Sequence, residues 1–179
     1  MDRSTDVRIW SMRILFAALC CAFLMFHLLP VGQSTNVAFA PDLVLCLTLT
    51  WVARRPEYAP ALLIALAALL ADLLLSRPPG LWAALVLLLS EYMRSRGHRM
   101  KTAGFVWEWL RVSAGIGVIF VANRLALSVL LLDLPPVSAV FTQYAATILL
   151  YPVIVGASAT LLRVRHRDSI DAEAGKLRA

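Results

Sequence analysis

The fold class this sequence predicts is an all-α integral membrane protein: a six-transmembrane-helix bundle with both termini on the cytoplasmic side. Three observations predict it. Hydrophobic residues make up 60% of the chain and its mean hydropathy is +0.76, more apolar surface than a water-soluble core of this length hides. Apolar runs near residues 14–29, 41–53, 60–76, 81–93, 105–132 and 137–162 are parted by short charged or proline-rich segments. Arginine and lysine gather in alternate intervals: residues 1–13, Arg54-Arg55, the Arg94–Lys101 segment and the 163–179 tail, whereas the intervals between hold only Arg77 and Asp133. The positive-inside rule puts the basic intervals in the cytoplasm, so the chain divides into a cytoplasmic start (1–13), a membrane domain (14–162) and a basic cytoplasmic tail (163–179).

The first apolar run follows Arg3, Arg8 and Arg13, and Ala38-Phe39-Ala40 imitates a signal-peptidase box. That box lies well beyond the apolar run and Pro41 directly follows it, so the run is expected to stay as a spanning helix rather than to be cleaved. Residues 31–40 carry no charge and read as an outer loop. Pro41 suits the first position of the second helix, where a missing N–H costs nothing. Asp42 then falls in the first turn, favoured by the helix dipole. Arg54-Arg55-Pro56-Glu57 makes a charged corner that hydrocarbon would not tolerate. Pro78-Pro79-Gly80 closes the third helix, because proline stops a helix and glycine permits the reversal.

The second and fourth runs are shorter than the roughly 20 residues a straight span requires. They are expected to borrow neighbouring residues or to sit in a locally thinned bilayer; short, proline-flanked spans also point to binding regions in transporter-like folds. Asp133-Leu134-Pro135-Pro136 makes the last turn, and Pro152 with Gly156 suggests a kink in the sixth helix. Trp10, Trp51, Trp107 and Trp109 are expected near the cytoplasmic interface and Trp82 near the outer one.

Several of these residues, in this order and spacing, carry a family resemblance. Pro41-Asp42-Leu43, Trp51 with Arg54-Arg55-Pro56-Glu57, then Asp72 and the Pro79-Gly80 turn resemble the bacterial rod-shape-determining protein family MreD. Ala67-Ala68 stands where that family often has glycine, and the turn reads PPG where PLG is common. The resemblance implies a non-enzymatic component of the machinery that elongates the cell wall, in the bacterial inner membrane. It implies binding to MreC, a single-span protein with a periplasmic domain, and indirect action beside MreB and wall-synthesising enzymes. It also implies a fold similar to the substrate-binding subunits of energy-coupling-factor transporters. The other class of reading is a small-molecule or lipid-binding transporter subunit that uses a polar pocket in the outer half.

Polar residues inside the apolar runs are the candidate site. Ala61, Ala65, Ala68 and Asp72 share one helix face, with Leu62, Leu66, Leu69 and Leu73 beside it; small residues let helices approach, so Asp72 is expected to point into the bundle. Arg124 lies about 13 residues beyond Arg111, which at 1.5 Å per residue brings it to the depth of Asp72. An Asp72–Arg124 pair is therefore expected, since either charge alone in hydrocarbon costs at least about 2.5 kcal/mol. His27, Asp42, Asn123, Gln143 and Tyr144 lie at comparable depth and form either an outward-opening pocket or partner cleft, or a set of interhelical contacts that satisfy one another. Tyr144, Thr147 and Tyr151 form a stripe at helical spacing, more simply read as glue between helices.

Other chemistries find little footing. The net charge of +6 comes from residues between and outside apolar runs, with no aromatic-interleaved basic surface for nucleic acid. Cys20, Cys21 and Cys46 sit inside apolar runs without CxxC spacing, which argues against a metal or redox centre. Asp42 and Asp72 lack the flanks of an aspartyl dyad, and no HExxH, GxSxG or phosphate-cradling glycine loop occurs, so no cofactor and no catalytic residue is expected. Glu91 and Glu108 each have arginines near them in sequence and are expected to form local ion pairs. The basic intervals suit anionic membrane lipids as well.

Overall fold

The computed structural model describes residues 3–28, 41–100, 105–132 and 134–160. All regular structure among them is helical: α1 (Arg3–Leu28), α2 (Leu43–Arg54), α3 (Ala61–Leu74), α4 (Leu81–Met100), α5 (Phe105–Val129) and α6 (Val137–Thr160). The expected outer loop at 31–40, Asp133 and the basic tail lie outside the described residues. Within α1, α5 and α6 the segments Val7–Leu28, Phe105–Val129 and Val137–Thr160 are long and apolar enough to cross a membrane, while α2 and α3 are shorter apolar helices. Large apolar side chains cover the outside, among them Leu62, Val129 and Leu149. An apolar exterior of that extent belongs to a protein solvated by lipid.

At the centre stands α2. Every residue from Val44 to Ala53 is buried, as expected of a helix apolar on all sides. Its two threonines turn back on their own helix: Thr48 Oγ1 donates to the Val44 carbonyl at 2.7 Å and Thr50 Oγ1 to the Cys46 carbonyl at 2.8 Å. Around it α1, α3, α4, α5 and α6 follow one another, each packed on the next, and α1, α3, α4 and α6 touch α2 directly. The fourth helix is not short: α4 continues to Met100 rather than ending at Met93.

On α3, Ala68, Ala71 and Asp72 are buried while Leu62, Leu66, Leu69 and Leu73 are exposed. The small-residue face turns inward, as its composition requires. That helix ends with Ser76 at φ 53° and a bond from Arg77 N–H to the Asp72 carbonyl of 2.9 Å, the six-to-one closure of a Schellman motif. The end of α5 repeats it: Leu131 has φ 55°, and Leu132 N–H donates to the Leu127 carbonyl at 3.1 Å. Leu131 is 92% exposed and holds a left-handed conformation without a glycine. Leu131→Gly is therefore expected to stabilise the protein by about 1 kcal/mol, because strain is relieved and almost no packing is lost. Thermal unfolding in detergent checks this; an unchanged or lower midpoint would count against the strain argument. The reversal into α4 uses Gly80 at φ 88°, a conformation only glycine takes readily.

Pro152 sits inside α6 and cannot donate to the carbonyl of Ile148, four residues earlier. That carbonyl accepts instead from the indole Nε1 of Trp109 on α5, at 3.2 Å. Close by, Tyr144 lies where a side chain on Gly117 would have to be, 3.2 Å from the position of an added Cβ, and its hydroxyl donates to the Ser113 carbonyl at 3.2 Å.

At the end of the bundle where α2 finishes and α3 begins, arginines from other helices clamp the corner. Arg13 Nε donates to the Glu57 carbonyl at 3.1 Å and an Arg94 guanidinium nitrogen to the Ala59 carbonyl at 2.6 Å. Trp51, expected at an interface, is instead fully buried against Phe16 and Tyr58, with ring centroids 5.4 and 6.2 Å away. Its position on the enclosed helix decides this. Trp82 is buried too, whereas Trp10 and Trp107 are exposed.

Candidate functional site

The polar residues singled out in sequence meet at the end of the bundle where α3 stops, α4 begins and the α5–α6 turn lies. There Asp42 is the N-cap of α2 rather than a residue of its first turn: its backbone is extended and its carboxylate accepts from Leu45 N–H at 2.9 Å, satisfying one of the unpaired donors of the helix start. The backbone N–H of Asp42 reaches Thr147 Oγ1 on α6 at 3.2 Å. Its other carboxylate oxygen faces Arg77 at 3.5 Å. Arg77 also lies over the Trp82 ring, 5.2 Å from its centroid, so one guanidinium joins α2 to α4.

Asp72 has a different environment from the one expected. Its side chain is fully buried, and Oδ2 accepts from Gly80 N–H at 3.0 Å and from Ala83 N–H at 3.1 Å. Gly80 occupies the N-cap position of α4 and has no side chain to cap it; Asp72 supplies the cap from the preceding helix. Arg124 donates to the Pro135 carbonyl at 2.7 Å across the α5–α6 turn. The expected Asp72–Arg124 pair is thus replaced by three backbone hydrogen bonds, two to Asp72 and one from Arg124. The reason is local: orphan N–H groups lie directly across the Pro78–Gly80 reversal from the carboxylate, and a free carbonyl lies 11 residues beyond the arginine. Asp72 Oδ1 is buried with no hydrogen-bond partner.

Two cavities flank this unit. The larger, about 730 Å³, opens between the α3–α4 turn, the last turns of α5 and the start of α6. Arg77 lines one side; Asn123 and Arg124 line another, with Gln143 between. Its base is an aromatic pair, Trp82 and Phe120, with centroids 5.2 Å apart at 87°. The smaller, about 20 Å³, holds His27, Asp42 and, again, Gln143 and Arg77. The five polar residues that could have formed one pocket therefore separate, as does Arg124 from Asp72. Asn123 and Arg124 belong to the larger cleft, His27 and Asp42 to the small crevice, and Gln143 touches both. Tyr144 lines neither cavity among those described; it packs on Gly117 and on Phe120, 6.0 Å away.

The cleft presents guanidinium and amide groups above an aromatic base. Arg77 already faces Asp42, whereas among the described residues Arg124 is held by a carbonyl and by no acid. Such a site suits a group with an anionic or carbonyl end and an apolar body. No group of three His, Cys, Asp or Glu able to hold a metal gathers among the described residues.

A second polar cluster, which the sequence did not suggest, lies nearer the opposite end. Glu108 was expected to pair locally; instead its Oε1 faces Arg54 Nε on α2 at 3.5 Å and accepts from the buried Tyr151 hydroxyl on α6 at 3.1 Å. The Arg54 contact is coulombic rather than hydrogen-bonded, since that Nε has no hydrogen-bond partner. Glu91 does pair locally, with Arg94 at 3.5 Å. The missed signal was the pairing of Glu108 and Tyr151 with the last arginine of an enclosed helix, which only the packing reveals.

No family model, no curated protein and no solved structure matches this chain.

Proposed function

We propose that this chain is a six-span protein of the bacterial inner membrane, with both termini cytoplasmic, and that it serves as a non-enzymatic scaffold of the cell-wall elongation machinery. In this reading it belongs with the MreD proteins, binds the single-span partner MreC directly, and acts with MreB and wall-synthesis enzymes through that partner. α2, α3 and α4 complete the spans, α2 enclosed by the others. The Pro78–Gly80 end is periplasmic and the Arg54–Ala59 end cytoplasmic, in keeping with the distribution of arginine and lysine.

One observation carries the reading. The residues that resemble the family are separated by up to about 40 positions in sequence, yet Asp42, Asp72 and Gly80 meet around one joint. Asp42 faces Arg77, and Asp72 caps the helix that starts at Gly80. That joint forms a wall of the periplasmic cleft, where a juxtamembrane segment of a single-span partner would lie. The short described connections leave little besides helix faces and this cleft for a partner to grip.

The second reading, a small-molecule or lipid-binding transporter subunit, draws on the volume of about 730 Å³ and the two arginines of the same cleft. Co-purification of the tagged protein from native membranes in mild detergent, followed by mass spectrometry, separates the two. The scaffold reading expects recovery of a single-span protein with a periplasmic coiled coil. It also expects about tenfold weaker recovery with Arg124→Glu, which reverses charge at the cleft. Recovery of transporter ATPase subunits, or of a stoichiometric small molecule whose addition raises the unfolding temperature, would overturn it.

A further inference from the structure

The other large cavity lies on a different face. A groove of about 750 Å³ runs between α4 and α5, walled by Leu85, Leu88 and Leu89 on one side and by Val118 and Ala122 on the other. Ala114 lines it with a small side chain, and at Gly115 the two helices come so close that an added Cβ would stand 2.7 Å from Leu89 Cδ1. The groove has a polar end. Arg96 from α4 and Arg111 from α5 both line it, and the Arg96 guanidinium lies over the Tyr92 ring at 5.1 Å.

Neither arginine is neutralised by an acid among the described residues. The acids nearby are engaged elsewhere: Glu91 with Arg94, and Glu108 with Arg54 and Tyr151. From Arg111 to Ala122 the groove extends for 11 residues of α5, about 16 Å at 1.5 Å per residue. That is about half of a hydrocarbon core of roughly 30 Å, the depth of one leaflet. We propose that this groove is a binding site for one anionic phospholipid of the cytoplasmic leaflet, its phosphate held between Arg96 and Arg111 and an acyl chain lying along Ala114, Val118 and Ala122.

Charge complementarity selects this occupant. Guanidinium groups hold phosphate through paired N–H donors, and the cytoplasmic leaflet is the one rich in anionic lipid. A second copy of the chain, related by a two-fold axis along the membrane normal, would set the same arginines against each other at equal depth. Free phosphate would match the arginines and leave the apolar walls unused. The site is independent of the periplasmic cleft and relies on the membrane orientation proposed above.

The test is native mass spectrometry of the full chain in detergent, titrated with phosphatidylglycerol or with phosphatidylcholine of the same acyl chains. The wild type is expected to retain one phosphatidylglycerol at about tenfold lower lipid concentration than phosphatidylcholine. Arg96→Gln with Arg111→Gln should abolish that preference, and Arg96→Lys with Arg111→Lys should keep most of it. Ala114→Phe, which fills the groove without touching a charge, should weaken retention of both lipids. Equal retention of the two lipids by the wild type would overturn the proposal, as would a preference that survives the double glutamine change. Displacement of the lipid by millimolar inorganic phosphate would reassign the site to the free anion. A disulfide-linked dimer of Ala114→Cys in native membranes, absent from the wild type, would give the groove to a second copy. None of these outcomes depends on whether MreC is recovered.

Discussion

Asp72→Ala is expected to destabilise the protein by about 3 kcal/mol, because it strips the acceptor from two N–H groups at the start of α4, one of them buried. Asp72→Asn keeps one acceptor oxygen and should cost about 1 kcal/mol, the difference between a charged and a neutral acceptor. The same geometry makes a second, independent demand. Asp72 and Arg124 share no partner, so the losses in the Asp72→Ala, Arg124→Ala double variant should add to within about 0.5 kcal/mol. Unfolding in mixed micelles of rising dodecyl sulfate content measures all of these. A double variant much milder than the sum would restore the direct ion pair and sink the cap; an Asp72→Ala protein as stable as the wild type would sink both.

Removal of Glu108 is expected to cost about as much. Arg54 and Glu108 side chains are only 13% and 10% exposed, and breaking a largely buried pair leaves a charge without compensation, at about 3 kcal/mol or more. Glu108→Ala also deprives the buried Tyr151 hydroxyl of its acceptor. Glu108→Gln retains that acceptor and should lose only the coulombic part. The diagnostic variant is Arg54→Met with Glu108→Leu: replacing both charges by apolar groups of similar volume is expected to be milder than either single change. A double variant worse than both would show that the pair does more than neutralise itself. The same unfolding assay decides it.

Most of the architecture was legible in the residues because lipid imposes few alternatives. Apolar runs interrupted by Arg54-Arg55-Pro56 and by Pro78-Pro79-Gly80 become helices that end at those positions, since a lipid-exposed backbone must satisfy itself. The inward face of α3 followed from the alternation of alanine and leucine stripes. What was not legible was which polar groups meet. Counting residues along the helices places Asp72 and Arg124 at one level but says nothing of azimuth or of the backbone donors that Asp72 meets instead. Likewise Trp51 reads as an anchor from composition, and only the enclosure of α2 on all sides makes it core. The candidate cleft is half readable: Asn123, Arg124 and Gln143 stand out in the sequence, whereas Arg77 reads as a turn residue, Trp82 as an interfacial anchor, and nothing in the sequence singles out Phe120.

The contact between Trp109 and the Ile148 carbonyl has a consequence for biogenesis. A helix with an unsatisfied carbonyl at its middle enters lipid at a penalty of several kcal/mol, and Pro152 leaves α6 in that condition until an indole from α5 arrives. Asp72 puts α3 in the same position with respect to α4, whose first amides it needs. In each case the missing partner lies on the adjacent helix in chain order, so α3 with α4, and α5 with α6, satisfy each other as pairs. For α2 the order is different. Its contacts with Glu108 and Thr147 are to helices made last, and so the element at the centre of the finished bundle is the one that has to wait longest during synthesis to be fully enclosed.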